Sequence, residues 1–209
     1  AGITGMSAYD AIYCDALAWL QAGKVDYIAP QLYWQFGAGQ DYAALSAWWD
    51  DKAALYGRHC YPGLAIYRLT DTNNWPASVI KNKKIENRKS FNSSTEGQLF
   101  FRARNLKNND KNIKTLLEAN EYKYEAFPPA MPWKDIVCPN TPASVNYSAG
   151  MFSWNTPSAA SDGDMPVKYV VYRFNTTTEI NNNAQDGTKV VAIQRGTNIS
   201  IPSSLLTAA

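Results

Sequence analysis

Residues 25–34 read Val-Asp-Tyr-Ile-Ala-Pro-Gln-Leu-Tyr-Trp, a nearly unbroken apolar run with little alternation. A strand tolerates such a run when both of its faces are covered, the condition of parallel strands flanked by helices. Pro30 lies inside the run and cannot donate to a ladder, so it belongs near the strand's end, where a sheet opens into a loop. This one segment therefore asks for neighbouring strands joined by helical crossovers.

The rest of the first 138 residues supplies them. Ser7, with Asp10 three residues on, resembles a capping box, and Gly23 closes the helix predicted between them. That helix places Ile12, Tyr13, Ala16, Leu17 and Leu20 on one face. Asp41 caps a second helix carrying Ala44, Leu45, Trp48 and Leu55, closed by Gly57. A second strand is expected over 60–69 and a third over 97–103. Helices are expected over 76–89 and 111–119, the former with Pro76 in its first turn. Residues 122–133 are aromatic and proline-rich and are expected to pack over a barrel end. Alternation of this kind predicts an α/β fold with a parallel sheet. A closed eight-stranded barrel takes about 250 residues, so three strands make part of one.

After Cys138 and Pro139 the texture changes. Helical periodicity stops and Asn, Thr and Ser rise. Short strands are predicted over 143–147, 151–154, 168–174, 189–194 and 198–201. Turn clusters separate them, at Asp162-Gly163-Asp164, at Asn181-Asn182-Asn183 and at Asp186-Gly187. This spacing is that of a small β-sandwich. Phe152, Trp154 and the run Tyr169-Val170-Val171-Tyr172-Arg173 resemble strands of a fibronectin type III domain. Such a domain takes about 100 residues, so residues 139–209 are expected to be an incomplete one.

Composition narrows the function. The formal net charge is +2 with a sequence pI near 8.4, which excludes a broad electrostatic grip on nucleic acid. The basic run Lys81, Lys83, Lys84, Arg88 and Lys89 reads as a solvated helix face. Aromatic residues reach 13%, with seven Trp and thirteen Tyr, and serve either a large core or ring platforms for sugars. Cys14, Cys60 and Cys138 give no disulfide framework and no zinc spacing, and are expected as isolated, mostly buried thiols. His59 is the single histidine, so a multi-histidine metal site is excluded, and no metal or other cofactor is expected. No stretch of about 18 apolar residues occurs to span a membrane. Ala1-Gly2-Ile3-Thr4-Gly5 is not a signal peptide, and a signal upstream of it is the expectation.

Tyr9, Asp10, Tyr13, Asp15, Trp19, Leu20, Gly23 and the block Asp26-Tyr27-Ile28, Pro30-Gln31, Tyr33-Trp34 carry a family resemblance. In order, Trp48-Trp49, Gly63 to Tyr67, Gly97 to Phe101 and Met131-Pro132-Trp133 continue it. The pattern resembles the GH10-like bacterial glycoside hydrolases, a family of domain-of-unknown-function origin with a (β/α)8 TIM-type barrel. The resemblance covers about residues 5–135. It implies that the three strands are the last three of the barrel, and that 139–209 is the fibronectin-like domain family members often carry. It also implies a polysaccharide or cell-wall glycan as substrate, and export to the periplasm or cell surface with a lipid anchor at an upstream N-terminus. The family's acidic block on strand four has no counterpart here.

Barrel active sites lie at the carboxyl ends of the strands. That edge would place Gln31, Tyr33 and Trp34 on the first strand, Tyr67 with Arg68 on the second, and Arg102 on the third. Gln offers donor and acceptor to hydroxyls, and the rings offer stacking faces. For Trp34 and Tyr67 core packing remains the competing reading, and for Arg102 a structural ion pair. Asp10 reads as a helix-start acid, and Trp48 and Trp49 as packing residues. Most glycosidases work with two carboxylates, yet none of the three strand ends shows an Asp or Glu. Asp26 begins its strand, at the opposite edge. The chain alone is therefore expected to bind glycan without hydrolysing it; the alternative is a non-catalytic carbohydrate-binding or surface protein. Three open parallel strands are also expected to self-associate or to pair with the missing half of the barrel.

Overall fold

The computed structural model describes residues 3–37, 39–81, 95, 97–183 and 186–201. Two compact units divide the chain, Ala1–Lys123 and Tyr124–Ala209.

In the first unit, three parallel strands lie side by side. β1 (Tyr27–Ile28) pairs with β2 (His59–Cys60), and an isolated bridge extends the pairing to Gln31 and Gly63. β3 (Gly63–Ala65) pairs with β4 (Leu99–Phe101), and a bridge between Cys60 and Thr95 extends that side. Residues 59–65 are thus one middle strand, held on both edges. The ladder between 27 and 31 is interrupted because Pro30 accepts from the Gly63 N–H at 2.8 Å but has no N–H to return. The second strand stops at Ala65, short of the expected 69. Residues Ile66–Leu69 roll into a 3₁₀ turn, with Thr70 N–H donating to the Tyr67 carbonyl.

The helix expected over 7–23 is two helices, α1 (Ala8–Ile12) and α2 (Ala16–Gln21). Tyr13 takes a left-handed conformation, φ 55°, and the Cys14 N–H closes back on Ala8. Asp15 then caps the second helix, its carboxylate accepting from Ala18 N–H at 2.9 Å. A second cap inside the pattern divides it. Leu20 is buried, whereas Ile12 and Tyr13 are exposed.

α3 (Tyr42–Leu55) begins at Asp41 as expected, but its buried stripe is Tyr42, Ser46, Asp50 and Ala53. Leu55 and Trp48 are exposed, and Trp48 lies against Trp49 with Lys52 over its ring. The stripe tolerates Asp50 because the Thr95 hydroxyl donates to its carboxylate at 2.5 Å. That bond ties the helix to the approach of β4.

One sheet face is covered. Leu32, Leu64, Ile66, Leu69, Trp75, Ile80, Ile113 and Leu117 meet in one cluster, with Phe100 packed against it. They come from the sheet, from 77–81, and from α5 (Ile113–Glu118). α4 (Ala103–Lys107) follows β4 directly and buries Asn105. The opposite sheet face carries exposed Tyr27, Leu99 and Phe101. The distal part of the helix expected over 76–89, with its basic run beyond Lys81, lies outside the described residues.

The second unit is built on antiparallel pairs. β5 (Ala143–Ser148), β6 (Met151–Asn155) and β9 (Asn198–Ser200) form a sheet in the order β5-β6-β9. β7 (Tyr169–Tyr172) and β8 (Val190–Gln194) form a second. Ala149 and Gly150 join β5 to β6 with φ of 49° and 79°, the paired positive values of a tight hairpin turn. Trp154, Val171 and Ile201 are the buried centre. The Asn cluster expected as a turn is helical instead, in α6 (Thr177–Asn183). Glu179 accepts from the Asn175 N–H at 3.0 Å and its own N–H meets Thr176 Oγ1 at 3.4 Å, a capping arrangement that starts the helix. Within this unit Phe127 contacts Tyr172, so 124–133 packs here rather than over the first unit's strands.

Candidate functional site

Side chains alternate across a strand, so Leu32 enters the core while Gln31 and Tyr33 turn to the opposite face. Gly63, paired with Gln31 across the ladder, lets that end of the chain close in. A Cβ there would stand 3.1 Å from the Pro30 carbonyl and 3.3 Å from the Tyr33 ring. Tyr33 can therefore lean over the middle strand toward the two strands beyond.

Three rings from the three strand ends meet as a result. Tyr33 and Tyr67 lie edge to face at 6.0 Å, Tyr67 and Phe101 edge to face at 5.8 Å, and Tyr33 and Phe101 stack at 6.0 Å. Of these, Phe101 was not a sequence-level candidate. Its signal was the register that sets it opposite Ala65, one residue before the turn carrying Tyr67. Half of Phe101 remains exposed, so the cluster presents ring surface outward. The geometry suits an apolar sugar face, which stacks on rings of this kind.

Polar groups border the rings. Gln31 is exposed, and Trp34 is half-buried just after Tyr33. Burial, followed by the influence of Tyr67, raises the Tyr33 hydroxyl above the ordinary tyrosine value. Tyr33 therefore stays protonated at neutral pH and can donate a hydrogen bond. The Arg68 guanidinium lies 5.4 Å from the Tyr67 ring and 5.4 Å from the Trp75 ring, and pairs with Asp71 at 3.8 Å. Arg68 thus braces Tyr67. Arg102 follows Phe101, is exposed, and forms no ion pair among the described residues.

The acids nearest in sequence after the strand ends have local duties. Asp41 accepts from the Ala44 N–H at 2.8 Å and from the Gly37 N–H. Asp71 accepts from the Asn73 backbone at 2.8 Å and its side chain at 2.9 Å. Asp110 accepts from Asn105 at 2.7 Å. Asp10 is exposed at the start of α1, and the Asp26 carbonyl accepts from His59 at the opposite end of the strands. His59 is buried, 3.2 Å from the Tyr61 hydroxyl.

Of the three free thiols only Cys60 is fully buried; Cys14 is half-buried and Cys138 exposed. Burial, then the Asp50 charge, pushes the Cys60 thiol up to about 12. In the second unit the exposed carboxylates of Asp135, Asp162 and Asp164 come within 4.8 Å of one another. Two of them serve turns, accepting from Val137 N–H and Asp164 N–H. Among the described residues no helix is long and apolar enough to cross a membrane.

Comparison with known proteins agrees with the first unit's architecture. Residues 1–80 match the family described as Glycosyl hydrolase-like 10. Glycosyl hydrolase YngK of Bacillus subtilis is 31% identical over 147 residues, covering 66% of this chain and 28% of that protein. Glycosyl hydrolase DigH of Escherichia coli K12 is 39% identical over 66 residues, covering 31% of this chain and 15% of that protein. The chain therefore spans less than a third of the length of these relatives. The matches support a glycosyl hydrolase-like protein.

Proposed function

We propose that these residues provide substrate contacts of a glycoside hydrolase-like protein acting on a polysaccharide or cell-wall glycan. In this reading the first unit is the C-terminal part of a (β/α)8 barrel, and the second is an incomplete fibronectin-like sandwich. The observation that carries it is the ring cluster of Tyr33, Tyr67 and Phe101 at the carboxyl edge of three parallel strands, with Gln31 exposed on the same face. Arg102 and Trp34 border that edge and add a donor and a further ring.

The same edge supports binding without bond breaking by this chain alone. Hydrolysis with retention or inversion needs two carboxylates flanking the bond. Asp41, Asp71 and Asp110 are each committed to backbone or amide partners. The bond-breaking acids then belong to parts of the whole protein outside these 209 residues. The exposed face of Tyr27, Leu99 and Phe101 is where the remaining barrel, or a second copy, would pack.

The test is a paired assay on the 209-residue chain with purified peptidoglycan and with soluble β-glucan. Expected are retention on at least one glycan and no release of reducing ends. Tyr67→Ala should weaken retention about tenfold, the loss of one stacking ring. Turnover by the unmodified chain would refute the claim of incompetence, and unaltered retention in Tyr67→Ala would remove the cluster from the site. Light scattering should show self-association; a monodisperse monomer would count against the open-barrel reading.

A further inference from the structure

The second unit leaves its two sheets incompletely covered. An open cleft of about 540 Å³ runs between them, walled by Pro142 and Val145, floored by Phe152 and Trp154, and bounded by Tyr169 and Val171 of β7. Among the described residues β7 pairs with β8 on one edge only. The Arg173 N–H donates to the Lys189 carbonyl at 2.8 Å, which fixes the edge facing β8. Backbone polar groups alternate along a strand, so those of Val170 and Tyr172 point to the other edge. Both residues line the cleft.

A second observation comes from the floor. Trp154 is only 7% exposed, and its indole Nε1 is buried with no hydrogen-bond acceptor. Buried donors of this kind are ordinarily satisfied. The cleft therefore offers a row of strand donors and acceptors, an orphan donor beneath them, and apolar walls.

We propose that this cleft binds an extended polypeptide strand, which pairs with the free edge of β7 and seats alternate apolar side chains over Phe152 and Trp154. Strand addition matches each feature. Backbone carbonyls and N–H groups recur at the spacing of Val170 and Tyr172, about 6.6 Å for two residues, and alternate side chains reach one face. A carbonyl or short hydroxyl side chain from the incoming strand meets Trp154 Nε1. Lys168, exposed at the entry to β7, is the one charged residue among the described lining. An acidic residue flanking the strand would complement it. This inference does not depend on the glycan reading of the first unit.

The probe is a synthetic octapeptide, Asp-Val-Thr-Val-Thr-Val-Thr-Asp, titrated into the 209-residue chain. Amide hydrogen exchange at Val170 and Tyr172 should slow at least tenfold at saturation. The same peptide N-methylated on alternate residues, in the two registers separately, should lose that protection in the register that faces β7. Lys168→Glu should weaken binding about fivefold while leaving the exchange of Trp154 and Val171 amides unchanged. Unprotected Val170 and Tyr172 amides, or equal binding of both methylated peptides, would overturn the proposal. Protection present without peptide and growing with protein concentration would assign the cleft to a second copy, and also overturn it. So would displacement of the peptide by a soluble β-glucan oligosaccharide.

Discussion

The two units cover their sheets in different ways. In the first, helices returning over one face of a parallel sheet bury ten side chains in a single cluster. In the second, two antiparallel sheets bury three, and a cleft opens beside them. A crossover helix contributes its own apolar stripe, so each parallel strand brings its cover with it. A hairpin brings only its partner, and its inner face waits for another layer. The first unit's other face, with Tyr27, Leu99 and Phe101 half exposed, shows the same dependence where no layer is described.

The sharpest way to break this comparison is thiol reactivity, because it reads burial directly. Cys60 lies in the middle strand of the first unit and Cys138 is exposed in the second. With its thiol pushed up to about 12, Cys60 carries roughly a thousandfold less thiolate near neutral pH than an ordinary cysteine. An aromatic disulfide reagent should label Cys138 promptly and Cys60 at least about a thousandfold more slowly. Denaturant should bring both to the same rate. Prompt labelling of Cys60 in the native chain would mean that the first unit's sheet is not sealed.

Core truncations come next. Leu64→Ala, at a fully buried position, should cost the first unit about 2–5 kcal/mol in chemical denaturation. A matched pair then isolates the surroundings, since Val79 and Val171 are each 6% exposed. Val79→Ala, inside the ten-residue cluster, should cost about 2 kcal/mol. Val171→Ala, beside the open cleft, should cost about 1 kcal/mol, because water and neighbouring groups can fill the space. Equal losses would show that the cleft does not loosen the second unit's centre.

Much of this difference was legible in the sequence. The long apolar run at 25–34 announced a strand covered on both sides, and Asp41 announced its helix. The five short runs after Pro139 lie within a few residues of the five strands observed. Gln31, Tyr33 and Tyr67 were readable as edge residues from alternation alone. What escaped the reading were effects of register and competition. Phe101 joins the ring cluster through its pairing with Ala65, a contact across sequence that periodicity does not report. Asp15 competes as a second N-cap and splits the first helix. The Asn cluster looks like a turn until the Thr176 and Glu179 cap is weighed against it. The stripe of α3 holds Ser46 and Asp50, so an apolar count points to its wrong face.

The smallest effect tests the helix that feeds the first unit's cluster. Asp41 caps α3, and the Ala44 N–H first, then the Gly37 N–H, hold its carboxyl below the usual carboxylate range. A carboxyl depressed in the folded state contributes stability above its unfolded pKa of about 4, and that contribution is lost as pH falls through the lower folded value. Asp41→Ala should therefore cost the first unit about 1 kcal/mol at neutral pH. The gap from the parent should narrow as pH is lowered below about 4, because the parent's own cap is then being protonated. Asp41→Asn, which keeps an acceptor without the charge, should recover most of the loss and show little of the pH dependence. The second unit's unfolding should be unmoved by either change. A pH-independent gap for Asp41→Ala would assign the effect to packing at Tyr42 rather than to the cap.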